Sequence, residues 1–304
     1  MHQEALIVQW IERRFPKPLI RVRFPVGVHF LLTVFNINTM LGAIIGDIVG
    51  SRFEFSTPPQ KDFKLFTKDA ECGFTDDTIC TIAIADAILK NIPYQESLLN
   101  WCRKYPNPIG GYGVRFNDWI NEKNPQPYNS FGNGSAMRVS AIGWLFNDYN
   151  DILQQAKRSA ECTHNHPEGI KGAQCVATLI YWLRTCRITK DEVEHAIKKN
   201  FGYEIPPLKD IYKIGSEGHF DGICQETVPW AIRCFLESQN FEDAIRIAVL
   251  ADGDTDTKAD ITGAIAEAFY EIPDTMIEET FSYLPKEMLN VIDLFYEKFS
   301  TDNK

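Results

Sequence analysis

Two short acidic motifs lie far apart in this chain and have the composition of two halves of one site. The first is Thr75-Asp76-Asp77-Thr78, and the second is Gly253-Asp254-Thr255-Asp256-Thr257. Each precedes a segment in which small and apolar residues recur at helical spacing. Together they offer four carboxylates and several hydroxyls, an all-oxygen donor set that suits Mg²⁺ or Mn²⁺ and not a thiophilic metal. Four carboxylates carry the charge that two divalent cations neutralise, so the pattern predicts a dinuclear site. For either motif alone, helix capping is the better account, because Thr and Asp accept hydrogen bonds from free N–H groups and favour the positive end of the helix dipole. It is the second acidic helix start, again with Thr interleaved, that favours a shared metal site.

Four further segments could line such a site, and each has an ordinary structural account beside the functional one. Gly46-Asp47-Ile48-Val49-Gly50-Ser51-Arg52-Phe53-Glu54 reads as a helix end stopped by Gly50, with Glu54 beyond it. Gly110-Gly111-Tyr112-Gly113 reads as a turn, or as a loop whose bare backbone N–H groups approach a phosphate. In Ser130-Phe131-Gly132-Asn133-Gly134-Ser135-Ala136-Met137-Arg138 an aromatic flanked by small residues could stack on a base, and an Asn-Gly turn explains the same letters. Thr163-His164-Asn165-His166-Pro167-Glu168-Gly169 holds two histidines without finger-like spacing of further ligands. A helix start at Pro167 and a buried, hydrogen-bonded His164 are the structural reading there.

The elements that must carry these motifs are helical. Periodicity predicts helices near 41–49, 78–89, 149–162, 168–186, 190–199, 225–238, 241–250, 256–270 and 286–299, and few segments alternate with period two. Residues 56–74, 105–135 and 201–222 read as irregular, and irregular stretches this long are often functional. Ala259, Gly263, Ala264 and Ala266 would let the second motif's helix pack closely beside the site. The expectation is an all-α fold, a single compact multi-helix domain with a central dinuclear metal cleft.

Composition sets the limits. Hydrophobic residues make up 44% and charged residues 24% of the 304, the profile of a folded soluble protein. No apolar run reaches membrane-span length. A net charge of −10 argues against broad nucleic-acid binding. The eight cysteines form no Cys-x-x-Cys pair and read as buried thiols of a reduced, cytoplasmic protein, expected to be a monomer. Residues 1–39 differ from the remainder, with Pro16, Pro18 and Pro25, no serine, and more basic than acidic residues. An Arg-rich leader is one reading. The preferred one starts the chain proper at Met40, with 1–39 outside the fold and 40–304 forming the domain.

As an ordered set, the motifs from Gly42 to about Tyr270 resemble the ADP-ribosylglycohydrolases of the dinitrogenase reductase-activating kind. The resemblance implies a Mg²⁺- or Mn²⁺-dependent hydrolase of ADP-ribose linkages, acting on an ADP-ribosylated protein or a small-molecule ADP-ribose conjugate. It implies that Thr75, Asp76, Asp77, Asp254, Asp256 and Thr257 hold two ions. Gly110, Gly111, Tyr112 and Gly113 would cradle the diphosphate. Ser130, Phe131 and Asn133 would hold the adenosine, with Phe131 on adenine, and His164 would touch ribose or phosphate. Glu54 falls where these enzymes place an acidic residue near the scissile bond. The chain departs from the family at Asp252-Gly253, where Gly-Gly is usual, and at Lys258 and Asp260, where apolar or small residues are common. Lys258 could compete with a cation if it turned inward. A non-catalytic, crystallin-like or ADP-ribose-binding role on the same fold is the alternative. A metal-dependent phosphohydrolase is a third reading, and it would not need the Ser130–Asn133 loop.

Overall fold

The computed structural model describes residues 19–21, 31–33, 40–56, 60–68 and 72–302, and its contacts fall into two units, Met1–Ile37 and Asn38–Lys304. The first carries an antiparallel ladder of β1 (Leu19–Arg21) and β2 (Leu31–Thr33), in which Leu19 faces Thr33 and Arg21 faces Leu31. The other residues of 1–39, on which the leader and start-site readings fall, lie outside the described residues. A chain starting at Met40 is expected to keep its thermal midpoint and its divalent-ion binding, measured by calorimetry. Aggregation or a large drop in midpoint would make 1–39 part of the fold.

The second unit is all-α. In chain order it runs α1 (Leu41–Gly50), α2 (Asp76–Lys90), α3 (Tyr94–Lys104), α4 (Val114–Asn121), α5 (Gly134–Met137), α6 (Ser140–Leu145), α7 (Tyr149–Glu161) and α8 (Pro167–Arg184). It continues with α9 (Val193–Phe201), α10 (Leu208–Ser216), α11 (Cys224–Glu237), α12 (Phe241–Leu250), α13 (Thr255–Glu267), α14 (Asp274–Phe281) and α15 (Lys286–Asp302). Two of these helices were hidden in segments that read as irregular. In α4 the buried residues are Phe116, Trp119 and Ile120, an i, i+3, i+4 set. In α10 they are Ile211 and Gly215, one turn apart. Both helices are short, and the prolines and glycines around them masked the period.

The centre is built on α1 and α13, every residue of which is buried. Small residues let the two axes come close. A Cβ on Gly42 would meet the Gly263 carbonyl oxygen at 2.2 Å, and one on Gly46 would meet that of Ala259 at 2.0 Å. Side-chain volume at either glycine would force the helices apart and move whatever their ends carry. The pairing is locked at one end by the Gly42 N–H, which donates to the buried carboxylate of Glu267 at 2.9 Å. At the other end α1 delivers Asp47 and Glu54, and α13 begins with the second acidic motif.

Candidate active site

Asp47 joins the first motif to the α1–α13 pair. One of its oxygens accepts from the Thr75 N–H at 2.9 Å and from the Thr78 N–H at 3.1 Å, and also from the Thr78 hydroxyl. The other accepts from the Thr75 hydroxyl at 2.7 Å. A carboxylate fixed to the open N–H groups of α2 serves as an external cap and sets where Asp76 and Asp77 stand. Thr75 is itself the N-cap, its side chain accepting from the Asp77 N–H at 3.2 Å. Capping and site-building are thus the same arrangement.

The two motifs meet. Oxygen atoms of Asp47, Asp77 and Asp256 lie within 4.8 Å of one another, and so do those of Glu54, Asp254 and Asp256. Asp256 is common to both triads. The hydroxyls of Thr75 and Thr257 each stand 3.3 Å from the same Asp77 oxygen. The other Asp77 oxygen is buried and has no hydrogen-bond partner among the described residues. With the oxygens of Asp47 engaged by α2, that free atom and the carboxylates of Asp254 and Asp256 are oxygen donors that could face a cation, and Asp76 lines the same cavity. Hard oxygen donors at a shared carboxylate fit Mg²⁺ or Mn²⁺.

Electrostatics agree with that fit. Burial, then the charges of Asp256, Asp260, Asp47 and Asp76, hold Asp77 well above the usual carboxylate range. Burial, then the charges of Asp254 and Glu54, do the same to Asp256. Asp76 is raised by burial and then by Asp47, Asp254 and Glu54. Asp254 is raised by burial and by Asp221, against the hydrogen bonds of Asp256 and Asn133. Glu54 is pushed up to about 8 by burial and by the charges of Asp254 and Asp47. So many carboxylates in one low-dielectric place repel each other, and positive charge among them would oppose each of these shifts.

The cluster opens into a cavity of about 490 Å³. Of the residues singled out in the sequence, Glu54, Asp76, Asp77, Gly110, Gly111, Tyr112, Gly113, Ser130, Asn133, His164, Asp254, Asp256 and Thr257 line it. Gly110 and Gly111 are left-handed, with φ of 73° and 81°, and a Cβ on Gly110 would stand 2.8 Å from a Glu54 oxygen. The glycine loop therefore lies directly under the acid. Gly113 caps α4, so the loop also ends at the positive end of a helix.

Three residues stand differently from the roles implied by the resemblance. Thr75 is fully buried and does not line the cavity, and its hydroxyl stands 3.3 Å from an oxygen of Asp77, which does. Asn133 turns its amide nitrogen to Asp254 at 2.7 Å and to the Thr227 hydroxyl at 3.1 Å, so it braces the second motif. Phe131 does not line the cavity, although Ser130 and Gly132 on either side do. Its backbone carbonyl accepts from the Cys224 N–H at 3.0 Å, and its ring, 41% exposed, leans on His166 at 5.2 Å. The strand-like pairing of Gly132 with Ile223 fixes that orientation.

His164 is 5% exposed, and burial followed by the charges of Arg138 and Arg115 keeps it neutral, its pKa well below the usual value. Arg138 donates to the Thr163 hydroxyl at 2.9 Å, which lies 2.7 Å from His164 Nδ1. With Arg138 donating to its oxygen, that hydroxyl is free to give its hydrogen to Nδ1, the arrangement that leaves the ring proton on Nε2, the nitrogen beside Gly132 and Gly134.

Several lining residues were given no role in the sequence, although Met137 and Arg138 end the Ser130–Arg138 segment. Arg115 and Arg138 bring positive charge to the walls, and Tyr128, Phe116 and Met137 bring apolar surface. Phe55 and Phe220 face each other in parallel at the cavity, ring centres 6.4 Å apart. Asp47 was in view as part of a helix end, but nothing local signalled its four hydrogen bonds. Lys258 does not turn toward the carboxylate cluster. It is fully buried and pairs with Asp221 at 2.9 Å. Asp252 accepts from the Gly253 N–H and belongs to neither triad. Asp260 is buried with no hydrogen-bond partner on either oxygen among the described residues.

A family model of ADP-ribosylglycohydrolase matches residues 37–303. The chain belongs to the ADP-ribosylglycohydrolase family. Among its relatives is ADP-ribosylhydrolase ARH3 of Xenopus tropicalis, 26% identical, with 77% of this chain and 86% of that protein covered. The Homo sapiens ADP-ribosylhydrolase ARH3 is 24% identical, with 82% and 90% covered. ADP-ribosylarginine hydrolase Tri1 of Pseudomonas putida (strain GB-1) is 23% identical, with 77% and 70% covered. A solved structure described as an ADP-ribosylglycohydrolase-related protein complex superposes with a TM-score of 0.64 at 22% identity, over 88% of this chain and 97% of that one. That likeness establishes the all-α fold. The family and its relatives support a hydrolase acting on ADP-ribose linkages. No helix among the described residues is long and apolar enough to cross a membrane.

Proposed function

We propose that this chain is a Mg²⁺- or Mn²⁺-dependent hydrolase that cleaves the glycosidic bond between ADP-ribose and a modified protein side chain or small acceptor. One observation carries the reading. The two acidic motifs and Glu54 meet at one end of a cavity whose other walls are the glycine loop and the Ser130–Gly134 segment. Its volume lies within the range of about 300–1,000 Å³ common for small-molecule sites.

In this reading Asp76, Asp77, Asp254, Asp256 and Thr257 would hold two cations, with Thr75 bracing Asp77 from behind, and the cations when bound would supply Lewis acidity at the ribose. Cleavage at the anomeric carbon develops oxocarbenium character. Glu54, beside Asp256 and over Gly110, is placed to give a proton to the leaving group or take one from water. The N–H groups of Gly110–Gly113 and the start of α4 suit the diphosphate. Arg115 adds positive charge on the same side. The His164 Nε2–H offers a neutral donor to a ribose hydroxyl or phosphate oxygen. Net negative charge and buried free thiols at Cys72, Cys80, Cys102, Cys175, Cys224 and Cys234 support a cytoplasmic protein, taken here as a monomer.

The test is a panel of ADP-ribosylated substrates, with arginine, serine and other linkages, scored for free ADP-ribose. Release from at least one linkage is expected. No release from any, by protein that binds ADP-ribose, would leave a binding protein of the crystallin-like kind.

The exposed Phe131 ring yields a separate expectation. A base reaching past Ser130 would cover its free face, and base–aromatic stacking is worth about 1–3 kcal/mol. Phe131→Ala should weaken ADP-ribose binding by about tenfold. Unchanged affinity by calorimetry would take Phe131 out of the ligand site.

A further inference from the structure

We infer that Asp221 is a positioning residue for the second acidic motif, and that Lys258 is the counter-charge that lets it sit there. The inference rests on the reading of Asp254 as a cation ligand. Both side chains have no exposed surface, and the Lys258 ammonium lies 2.9 Å from Asp221 Oδ1. A buried ion pair contributes little to stability compared with apolar side chains of the same volume. Its geometry points instead to the turn ahead of α13.

That turn is unusual. Asp252, a non-glycine residue, has φ of 60°, and Gly253 follows with φ of 77°. Two consecutive left-handed residues turn the Asp254 N–H away from α13 and onto Asp221 Oδ1, at 3.0 Å. Gly253 must be glycine for this, since a Cβ there would stand 2.4 Å from the same Asp221 oxygen. Lys258 brackets the turn from the other side. Its ammonium donates to the Asp252 carbonyl and its N–H to the Asp254 carbonyl at 3.0 Å. The ammonium also stands 5.5 Å from the centre of the Trp230 ring.

The same loop grips the Asp254 side chain. The Thr227 hydroxyl donates to the Asp221 carbonyl and receives from Asn133, whose amide nitrogen also donates to Asp254 Oδ2 at 2.7 Å. Asp254 is thus held at its backbone by Asp221 and at its carboxylate by Asn133. Its own side chain makes no capping bond to the backbone of α13, and besides the Asp256 carboxyl beside it the hold on that carboxylate comes from this loop. The neighbouring Phe220 lines the cavity, so the anchored loop also forms part of the wall.

Two double variants separate orientation from mere stability. Lys258→Met with Asp221→Asn removes both charges and keeps a carbonyl oxygen for the Asp254 N–H. Lys258→Met with Asp221→Leu removes the charges and the acceptor together. Neither leaves an unpaired charge, so both are expected to fold. Mn²⁺ affinity is read by calorimetry well below each thermal midpoint. The Asn variant should bind Mn²⁺ within about threefold of wild type, and the Leu variant at least about tenfold more weakly, the usual scale for losing a partner that orients a ligand. Equal affinity in the two variants overturns the positioning role while leaving the metal site intact. Wild-type protein that binds no Mn²⁺ would overturn the metal reading itself.

Discussion

Asp77→Asn and Asp256→Asn are each expected to lose hydrolysis and divalent-ion occupancy together, with turnover down by at least about 10³-fold. The size follows from charge. Bound cations supply several kcal/mol of charge stabilisation at the reacting centre, and each 1.4 kcal/mol or so is a factor of ten in rate. Asp77 carries a buried oxygen with no protein partner, and Asp256 belongs to both carboxylate triads. Replacing either with a neutral amide removes negative charge where cations need it. In the metal-free protein it relieves repulsion, because burial and neighbouring carboxylates are what push these groups up. The variants should therefore fold at least as well as the metal-free wild type. Wild-type turnover in either one, with metal content measured on the same sample, would remove it from the site.

Glu54→Gln should behave otherwise. Turnover is expected to fall by roughly 10²–10⁴, the usual contribution of a general acid or base, while Mn²⁺ and ADP-ribose affinities stay near wild type. The reason lies in where Glu54 comes from. It follows the short turn Ser51–Phe53 at the end of α1, half-buried at the cavity, whereas Asp77 and Asp256 are buried at helix starts. It touches Asp256 and the glycine loop from above. An amide keeps the shape and the hydrogen-bonding reach but can no longer transfer a proton. Loss of metal along with activity would make Glu54 a ligand. Full activity would leave the proton transfer to another group.

The contrast between these two variants follows from what local sequence can and cannot encode. Thr75-Asp76-Asp77 and Asp254-Thr255-Asp256-Thr257 were legible as helix starts that meet in space, because the carboxylates and hydroxyls a cation would need are the same small set of residue types that cap helices. The all-α architecture was legible because helices such as α7, which buries Ile152, Ala156, Ser159 and Ala160 at helical spacing, keep their period. The contacts that orient the ligands were not legible. Asp47 to Thr75 and Thr78, Asn133 to Asp254, and Asp221 to Lys258 each join residues many positions apart. No spacing rule links them, and each residue alone has an ordinary local role. Lys258 looked like a threat to the cations because its partner, Asp221, lay in a stretch that read as irregular. Phe131 was assigned by its neighbours' composition, and the backbone pairing of Gly132 with Ile223 turned its ring to the rim.

The most direct measurement is a titration of chelator-treated, full-length protein with Mn²⁺, following bound metal and ADP-ribose release from a cleavable conjugate in the same sample. The two-cation site predicts no release before Mn²⁺ is added, then release that rises with occupancy and saturates at two ions per chain. Release by the metal-free protein, or full occupancy without release from any linkage tested, would contradict it.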